Sequence, residues 1–174
     1  MTAAAPHIAF EDLSERHLPM LRDWLTQPHV HSWWGEPDHE IELLRQTICH
    51  KSDQGFIACL DAKPVGYIQS WQLADHADEV PWSAGLPKAT IGIDTFIGSK
   101  TDTGKGLGTM IVQAFCAKLF SQGADYLVVD PDAANRVAIK AYQKAGFKSL
   151  RDYQTPEGVS HIMDLTKLRF QRTV

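Results

Sequence analysis

Apolar residues recur along the chain at two spacings, every second residue or every third and fourth residue, and these spacings predict strands and helices. Short apolar runs predict strands at residues 6–10, 56–60, 65–71, 90–97 and 126–129. Helical spacing predicts helices from Ser14 to near Pro28, from Asp38 to about His50, and over residues 105–121 and 135–145. Turn residues predict hairpin tips at 61–64 and 155–158, and residues 73–88 are predicted as a loop.

The order of these elements is β-α-α-β-β-β-α-β-α-β-β, which predicts an α/β (α+β) fold. We expect a mixed central sheet of about seven strands with about four helices. The chain has 174 residues, the length of one domain, so we expect residues 1–174 to form a single domain. In such a sheet a ligand is expected where neighbouring strands part at their carboxyl ends.

Composition excludes several classes of function. The net charge is −4, with 44% hydrophobic and 22% charged residues, which argues against a nucleic-acid-binding surface and permits a cationic substrate. Cys49, Cys59 and Cys116 are scattered and odd in number, so we expect reduced, buried thiols and no disulfide framework. We expect a cytoplasmic protein with no leader and no membrane partner, because the sequence has no apolar run of membrane-spanning length.

Three glycines stand at the start of a predicted helix, in the run Gly104, Lys105, Gly106, Leu107, Gly108 and Thr109. Glycine allows successive backbone N–H groups to turn toward one point, and a helix N-terminus adds unpaired amides and the positive end of its dipole. This arrangement favours a bound pyrophosphate. The spacing fits neither the P-loop nor the dinucleotide-binding fingerprint, and the same run can also be only a tight connection.

Residues 135–145 are predicted as a helix that is capped by Asn135 and stopped by Gly146. Together with the glycine run, this helix resembles the acetyl-CoA-binding half of the GNAT acetyltransferase superfamily. The resemblance implies that acetyl-CoA is a co-substrate bound by the glycine run and Ile97. It further implies that Asn135 contacts the pantetheine side and that Tyr142 lies near the thiol. The implied GNAT fold has a sheet that parts between its fourth and fifth strands.

Further segments extend the resemblance to the aminoglycoside 6′-N-acetyltransferase branch of that superfamily, at residues 29–35, 92–94, 130–132 and 155–158. The resemblance implies that Asp94 is the catalytic base. It implies that the substrate-binding residues are Trp33, Trp34, Asp94, Asp130 and Glu157. Spaced carboxylates suit a polycationic sugar, because each can bind an ammonium group while indole faces cover sugar C–H surface or cations. Since the tryptophan pair can also staple two helices, we expect one indole to pack and the other to be exposed.

Each of the other residues has a structural alternative that the sequence leaves open. Asp94 interrupts an apolar strand and can cap local amides. It can also take the proton that an ammonium group must lose before it attacks a thioester. Asp130 can cap the next helix or bind substrate. Glu157 can be a solvated turn residue, and Tyr142 can pack by its ring.

These residues together predict direct acetyl transfer to a small cationic aminoglycoside in a ternary complex, conferring antibiotic resistance. Asp94 removes the proton and Tyr142 assists the leaving thiolate. No metal is expected, because His29 and His31 lack further ligands. We expect a monomer or homodimer. Three alternatives remain: a siderophore hydroxylysine acetyltransferase, which typically has histidine where this chain has Asp94; an acetyltransferase for polyamines or protein amines; and a non-enzymatic acyl-CoA-binding regulator.

Overall fold

The computed structural model describes residues 6–50 and 52–173. Its strands are β1 (Ile8–Asp12), β2 (Gln54–Leu60), β3 (Lys63–Gln72), β4 (Ile91–Ile97), β5 (Tyr126–Val129), β6 (Lys148–Gln154) and β7 (Val159–Thr166). Its α-helices are α1 (Leu18–Leu25), α2 (Pro28–Trp34), α3 (Pro37–Cys49), α4 (Leu107–Ser121), α5 (Arg136–Ala145) and α6 (Lys167–Gln171). The strands form a seven-stranded sheet in the order β1-β2-β3-β4-β5-β7-β6.

The mixed sheet confirms the predicted fold class. Strands β4 and β5 are parallel, whereas β1 and β2, β5 and β7, and β6 and β7 are antiparallel. The described ranges contain six α-helices, not the four that the sequence predicted. None of the helices in these ranges is long and apolar enough to cross a membrane.

The first unpredicted helix, α2, contains the tryptophan pair. The sequence analysis took Pro28 as the end of the preceding helix, but in the structure Pro28 starts a new one. Proline suits the first turn of a helix because its fixed φ is already helical and no N–H is needed there. Gly35 ends α2 with φ of 98°, a conformation that residues with a Cβ rarely adopt.

The second unpredicted helix, α6, follows β7 directly. The side chain of Thr166 caps it by accepting the backbone N–H of Arg169 at 3.2 Å. Arg169 also donates from Nη1 to Oδ1 of the buried Asp164 at 2.7 Å, which ties the helix to β7. Helix α6 has five residues, too few to show a helical spacing of apolar residues in the sequence. The capping residue Thr166 was therefore the one sequence feature that could have predicted it.

Two compact units make up the chain. The first comprises Met1–Gln69 and Thr95–Leu107. In its described residues, the core is a cluster of apolar side chains from α1, α2, α3 and the strands, including Leu21, Leu25, Val30, Leu44, Ile57, Tyr67 and Phe96.

The second unit comprises Ser70–Asp94 and Gly108–Val174. In it β5, β7 and β6 are adjacent in the sheet, and α4 and α5 bury apolar faces. The fully buried side chains of α4 include Ile111 and Phe115, while α5 contributes Ile139 and Ala145.

The hairpin between β2 and β3 turns over two residues, shorter than the predicted 61–64, and both are strained. Asp61 has φ of 48° and Ala62 has φ of 67°. A turn with two positive φ angles matches the twist of the flanking strands but normally carries glycine at its second position.

We therefore expect Ala62→Gly to stabilise the protein by about 1 kcal/mol, because glycine adopts this conformation without a steric cost. Thermal unfolding measures the effect. Ala77→Gly is the matched control: Ala77 is exposed and has φ of −55°, so the same substitution there should leave stability unchanged or lower it. Equal effects of the two substitutions would contradict the strain argument.

Candidate active site where β4 and β5 part

Two aspartates occupy matching positions at the carboxyl ends of the parallel strands β4 and β5. The strands pair at Ile91 with Leu127 and at Gly92 with Val128. Continuing the same register places Asp94 opposite Asp130, the residue that follows β5. Opposite residues of parallel strands project from the same face of a sheet. The two carboxylates therefore share one face at the edge where a ligand is expected.

The electrostatics of Asp130 confirm that the two carboxylates interact. Burial, and after it the negative charge of Asp94, raises the pKa of Asp130 from 3.8 to about 8. Two negative charges repel each other strongly where water is partly excluded. The pair of carboxyl groups therefore keeps a proton to a higher pH than an exposed carboxyl group does. A cationic group placed between them would favour the ionised form of both.

Tyr142 of α5 belongs to the same electrostatic cluster. Burial raises the pKa of its phenol, and the charges of Asp94 and Asp130 and then the Cys116 thiol raise it further. Its ring packs edge-on against Phe147 with centroids 5.7 Å apart. The phenol therefore stays protonated at ordinary pH and is a hydrogen-bond donor, while its ring also packs.

Cys116 does not provide a nucleophile in this cluster. It is fully buried in α4, and burial raises the pKa of its thiol far above neutrality. A thiol that stays protonated is a poor nucleophile. Cys59 is also buried, whereas Cys49 is exposed, so the expectation of buried thiols was wrong for Cys49.

None of the described residues forms a group of three or more His, Cys, Asp or Glu that could hold a metal ion.

Trp71, which the sequence analysis did not assign to the site, contacts Asp94 directly. Its indole Nε1–H donates to Asp94 Oδ2 at 2.8 Å. The backbone N–H of Leu73 donates to the carbonyl of Thr90, a register that places Trp71 beside Gly92. A glycine inside an apolar strand often marks a close approach by another group. Gly92 was the signal in the sequence that could have identified this contact.

The segment 73–88 is more ordered than the predicted loop. It contains two short 3₁₀ turns, Leu73–His76 and Pro81–Ser83. Trp82 is buried, and its ring centroid lies 6.4 Å from that of Trp71. Arg151 of β6 donates from Nη2 to the carbonyl of Trp82 at 2.5 Å and to that of Ala84 at 3.0 Å. One guanidinium thus holds the segment through two backbone carbonyls.

The cap of α5 is Asn135, as predicted, and not Asp130. Asn135 Oδ1 accepts the backbone N–H of Ala138 at 3.1 Å. The alternative in which Asp130 caps this helix is therefore wrong, because Asp130 lies too far before the first helical residue, Arg136. Gly146 ends the helix with φ of 107°, as predicted.

The glycine run adopts the open conformation expected of a phosphate cradle. Gly104 and Gly106 have φ of 76° and 81°, and a Cβ at either position would meet no atom within 4 Å. Helix α4 begins at Leu107, not at 105 as predicted, so these glycines precede its first unpaired N–H groups.

Other members of the predicted cofactor set make packing contacts and hydrogen bonds within the protein. A Cβ on Gly108 would lie 4.0 Å from Cβ of Ala141, and Thr109 Oγ1 donates to the carbonyl of Ala141 at 3.4 Å. These contacts set the approach of α4 to α5. At the end of β4, the carbonyl of Ile97 accepts a hydrogen bond from His29 Nε2 at 2.9 Å.

The two tryptophans of α2 differ in exposure, as expected. Trp33 is 46% exposed. Trp34 packs edge-on against Phe96 and Tyr67, with ring centroids 4.8 Å and 6.0 Å away. Trp34 is therefore part of the core of the first unit, and Trp33 has the accessible indole.

Glu157 is exposed at the tip of the β6–β7 hairpin. The hairpin is attached to the segment that follows Asp130. The N–H of His161 donates to the carbonyl of Pro131, and the N–H of Ala133 donates to the carbonyl of Val159, both at 2.8 Å. These bonds place the hairpin beside the segment that carries Asp130.

The raised pKa of Asp130 predicts how stability depends on pH. The folded protein binds this proton more readily than the unfolded chain, so the contribution is fully present below pH 3.8 and is lost as the pH rises through about 8. Asp130→Asn cannot ionise. We expect its unfolding temperature relative to that of the wild type to increase between pH 5 and pH 9, measured by thermal melts.

Asp23→Asn, which changes an exposed carboxylate on α1, is the control for that series. Its difference from the wild type should stay nearly constant over the same pH range. A constant difference for Asp130→Asn as well would show that this carboxyl is not buried beside a second charge.

Comparison with known proteins identifies the family. The family model described as an acetyltransferase (GNAT) domain matches residues 14–155. An aminoglycoside N(6′)-acetyltransferase type 1 from Klebsiella pneumoniae is 32% identical over 169 residues, which cover 92% of this chain and 84% of that protein. A kanamycin resistance protein from Rhizobium radiobacter is 34% identical over 93 residues, which cover 53% of this chain and 86% of that protein.

Solved structures agree with the sequence relatives. The crystal structure of aminoglycoside acetyltransferase AAC(6′)-Ib in complex with coenzyme A and kanamycin has a TM-score of 0.85 and 31% identity, and the match covers 96% of this chain and 99% of that one. AAC(6′)-Ib in complex with ribostamycin and coenzyme A has a TM-score of 0.84 and 31% identity, over 95% and 97% of the two chains. The family model over most of the chain and the relatives that are more than 30% identical show that the chain belongs to the GNAT acetyltransferase family.

Proposed function

We propose that this protein is an acetyl-CoA-dependent N-acetyltransferase that acts on the 6′-amine of aminoglycoside antibiotics, by direct transfer in a ternary complex, and so confers resistance. Residues 1–174 act as one GNAT domain. The observation that carries the proposal is the pair of carboxylates Asp94 and Asp130 on one face where β4 and β5 part. Relatives named for aminoglycoside acetylation match over most of the chain, which supports the same substrate class.

Acetyl-CoA binds through the glycine run and the start of α4. The pyrophosphate lies against the backbone amides of Gly104 to Thr109, where the open conformation of the glycines and the helix N-terminus favour an anion. Lys105 is exposed within the run and adds a positive charge. Ile97 and Asn135 contact the pantetheine arm.

Asp94 prepares the amine for attack. An alkylammonium has no lone pair at neutral pH, so its nitrogen must lose a proton before it can attack the thioester carbonyl. The Asp94 carboxylate accepts that proton directly or through water. The new C–N bond forms as the carbonyl becomes a tetrahedral oxyanion, which backbone N–H donors stabilise. Collapse of this intermediate breaks the C–S bond, and the second proton that the nitrogen loses neutralises the leaving thiolate.

Tyr142 assists departure of the CoA thiolate. Burial, and after it the charge on Asp94, raises the pKa of Tyr142. When Asp94 accepts the proton from the amine, this charge disappears and the phenol becomes a stronger acid. The phenol stays protonated and donates a hydrogen bond to the sulfur as the thiolate forms.

Further proposed contacts for a polycation are exposed acids of the second unit and an exposed indole of the first. Asp75, Asp78 and Glu79 are exposed in the segment after β3, and Glu157 is exposed at the hairpin tip. Each can bind one ammonium group of a sugar that carries several. Trp33 provides an exposed indole face for a sugar ring.

Because acetyl-CoA and the modified antibiotic are both cytoplasmic in this role, we propose that the enzyme is cytoplasmic. We propose that it is a monomer or homodimer.

The cofactor assignment predicts the effect of Gly106→Val. A β-branched residue is strained at φ of 81°, so the cradle must reorganise. We expect the KM for acetyl-CoA to rise about 10-fold or more, with a much smaller change for the amine. Gly123→Val is the matched control, because Gly123 also has positive φ and open space around it. A folded Gly106→Val variant with the acetyl-CoA kinetics of the wild type would remove the run from the cofactor site.

A substrate panel tests the proposed function itself. We expect acetyl-CoA-dependent CoA release with kanamycin and tobramycin, which carry a 6′-amine, and none with analogues that carry a 6′-hydroxyl. Higher salt should weaken aminoglycoside binding more than acetyl-CoA binding, because several ammonium–carboxylate contacts are screened together. N-hydroxylysine and spermidine are the competing substrates. Turnover confined to either of them would reject the aminoglycoside assignment and leave the acetyltransferase assignment in place.

A further inference from the structure

The hydrogen bond between Trp71 and Asp94 joins the base to a residue for which the acetyl-transfer mechanism has assigned no role. The bond runs from indole Nε1–H to carboxylate Oδ2 at 2.8 Å. The indole N–H is only a donor, so its partner must be an acceptor such as an ionised carboxylate. The geometry therefore couples the position and the charge of Asp94 to the position of one indole ring.

Contacts on several sides hold that ring in place. A Cβ on Gly92 would lie only 2.3 Å from the Trp71 ring, so the absence of a side chain there provides the space that the ring occupies. His76 packs edge-on against the indole with centroids 5.5 Å apart, and Trp82 packs edge-on at 6.4 Å. Arg151 in turn holds the backbone of Trp82. The donor is therefore fixed by the fold before any ligand binds.

A carboxylate at the end of a strand needs such a partner if it is to act as a base. The last side-chain torsion of aspartate has a broad, roughly two-fold profile, so packing alone does not fix the plane of the carboxylate. Proton acceptance requires an oxygen within hydrogen-bond reach of the amine and correctly oriented toward it. A hydrogen bond to a fixed N–H sets that plane and also favours the ionised form.

We propose that Trp71 is a positioning residue for the catalytic base: its indole N–H fixes the carboxylate plane of Asp94 and favours the charged form that accepts the proton. This inference rests on the proposed role of Asp94 in acetyl transfer. The space left by Gly92 and the contacts from the segment 73–88 then have a function beyond packing. They hold the indole of Trp71 against the base.

Trp71→Phe tests the proposal, because it removes the N–H and keeps an aromatic ring. Trp24→Phe is the matched control. Trp24 also lies against a glycine, Gly98, which follows β4, since a Cβ on Gly98 would be 2.2 Å from its ring, and it packs edge-on against Phe96 in the core of the first unit. Both substitutions remove the same atoms from a half-buried indole. Of these two indoles, Trp71 is the one that donates to Asp94.

We expect Trp71→Phe to lower kcat about 10-fold while the KM for acetyl-CoA stays unchanged. The acidic limb of the kcat/KM profile should move to higher pH, because the ionised base has lost a donor. Trp24→Phe should lower the unfolding temperature to a similar degree and leave both kcat and the pH profile as in the wild type. A Trp71→Phe enzyme with the pH profile and kcat of Trp24→Phe would overturn the proposal.

A measurement that needs no turnover separates this inference from the proposed function. The titration of Asp94 can be followed by carboxyl carbon NMR in the wild type and in both variants. The midpoint should move upward in Trp71→Phe alone, and unchanged midpoints would overturn the proposal. Gly92→Ala, whose Cβ would displace the indole, should give the same shift if Trp71→Phe does not fold. If the wild type acetylates no aminoglycoside, the proposed function is rejected. The titration midpoints of Asp94 would still test whether Trp71 favours its ionised form.

Discussion

The repulsion between Asp94 and Asp130 is the constraint on which the rest of the site depends. Parallel pairing at only the first residues of β4 and β5 places the two carboxylates in register just beyond the last pairs. Burial and this repulsion together raise the pKa of Asp130 to about 8, so this carboxyl holds a proton at a pH at which an exposed carboxylate has lost it. A cationic amine relieves the repulsion. In the proposed function, this pair favours a cationic substrate and Asp94 is the base.

The surrounding structure keeps this charged pair in a defined geometry. Trp71 donates to Asp94 from one side, and Gly92 leaves room for its ring. Tyr142 reaches the same cluster from α5, a helix that Asn135 caps and that packs against α4 at Gly108. Helix α4 begins inside the glycine run, at Leu107.

The sequence predicted those parts of the molecule that depend on local patterns. Asn135 and Gly146 were predicted correctly because caps have local chemistry. Asp94 stood out because an acid interrupts an apolar strand, and its role as base stays a prediction. Helix α2 was not predicted because proline occurs both just after the end of a helix and in the first turn of a helix. The sequence alone did not distinguish these two positions for Pro28. Trp71 was missed because its contact with Asp94 depends on the pairing of β3 with β4. The opposition of Asp94 and Asp130 likewise depends on strand register, which no single segment encodes.

The most direct test of the account is the turnover of Asp94→Asn with kanamycin and acetyl-CoA. Asparagine keeps the shape of the side chain and can still accept the Trp71 N–H, but it cannot accept the proton of the amine. The account predicts that kcat falls by roughly 10²- to 10⁴-fold in a folded enzyme whose KM for acetyl-CoA is unchanged. Turnover equal to that of the wild type would contradict it and would leave Asp94 with a structural role only.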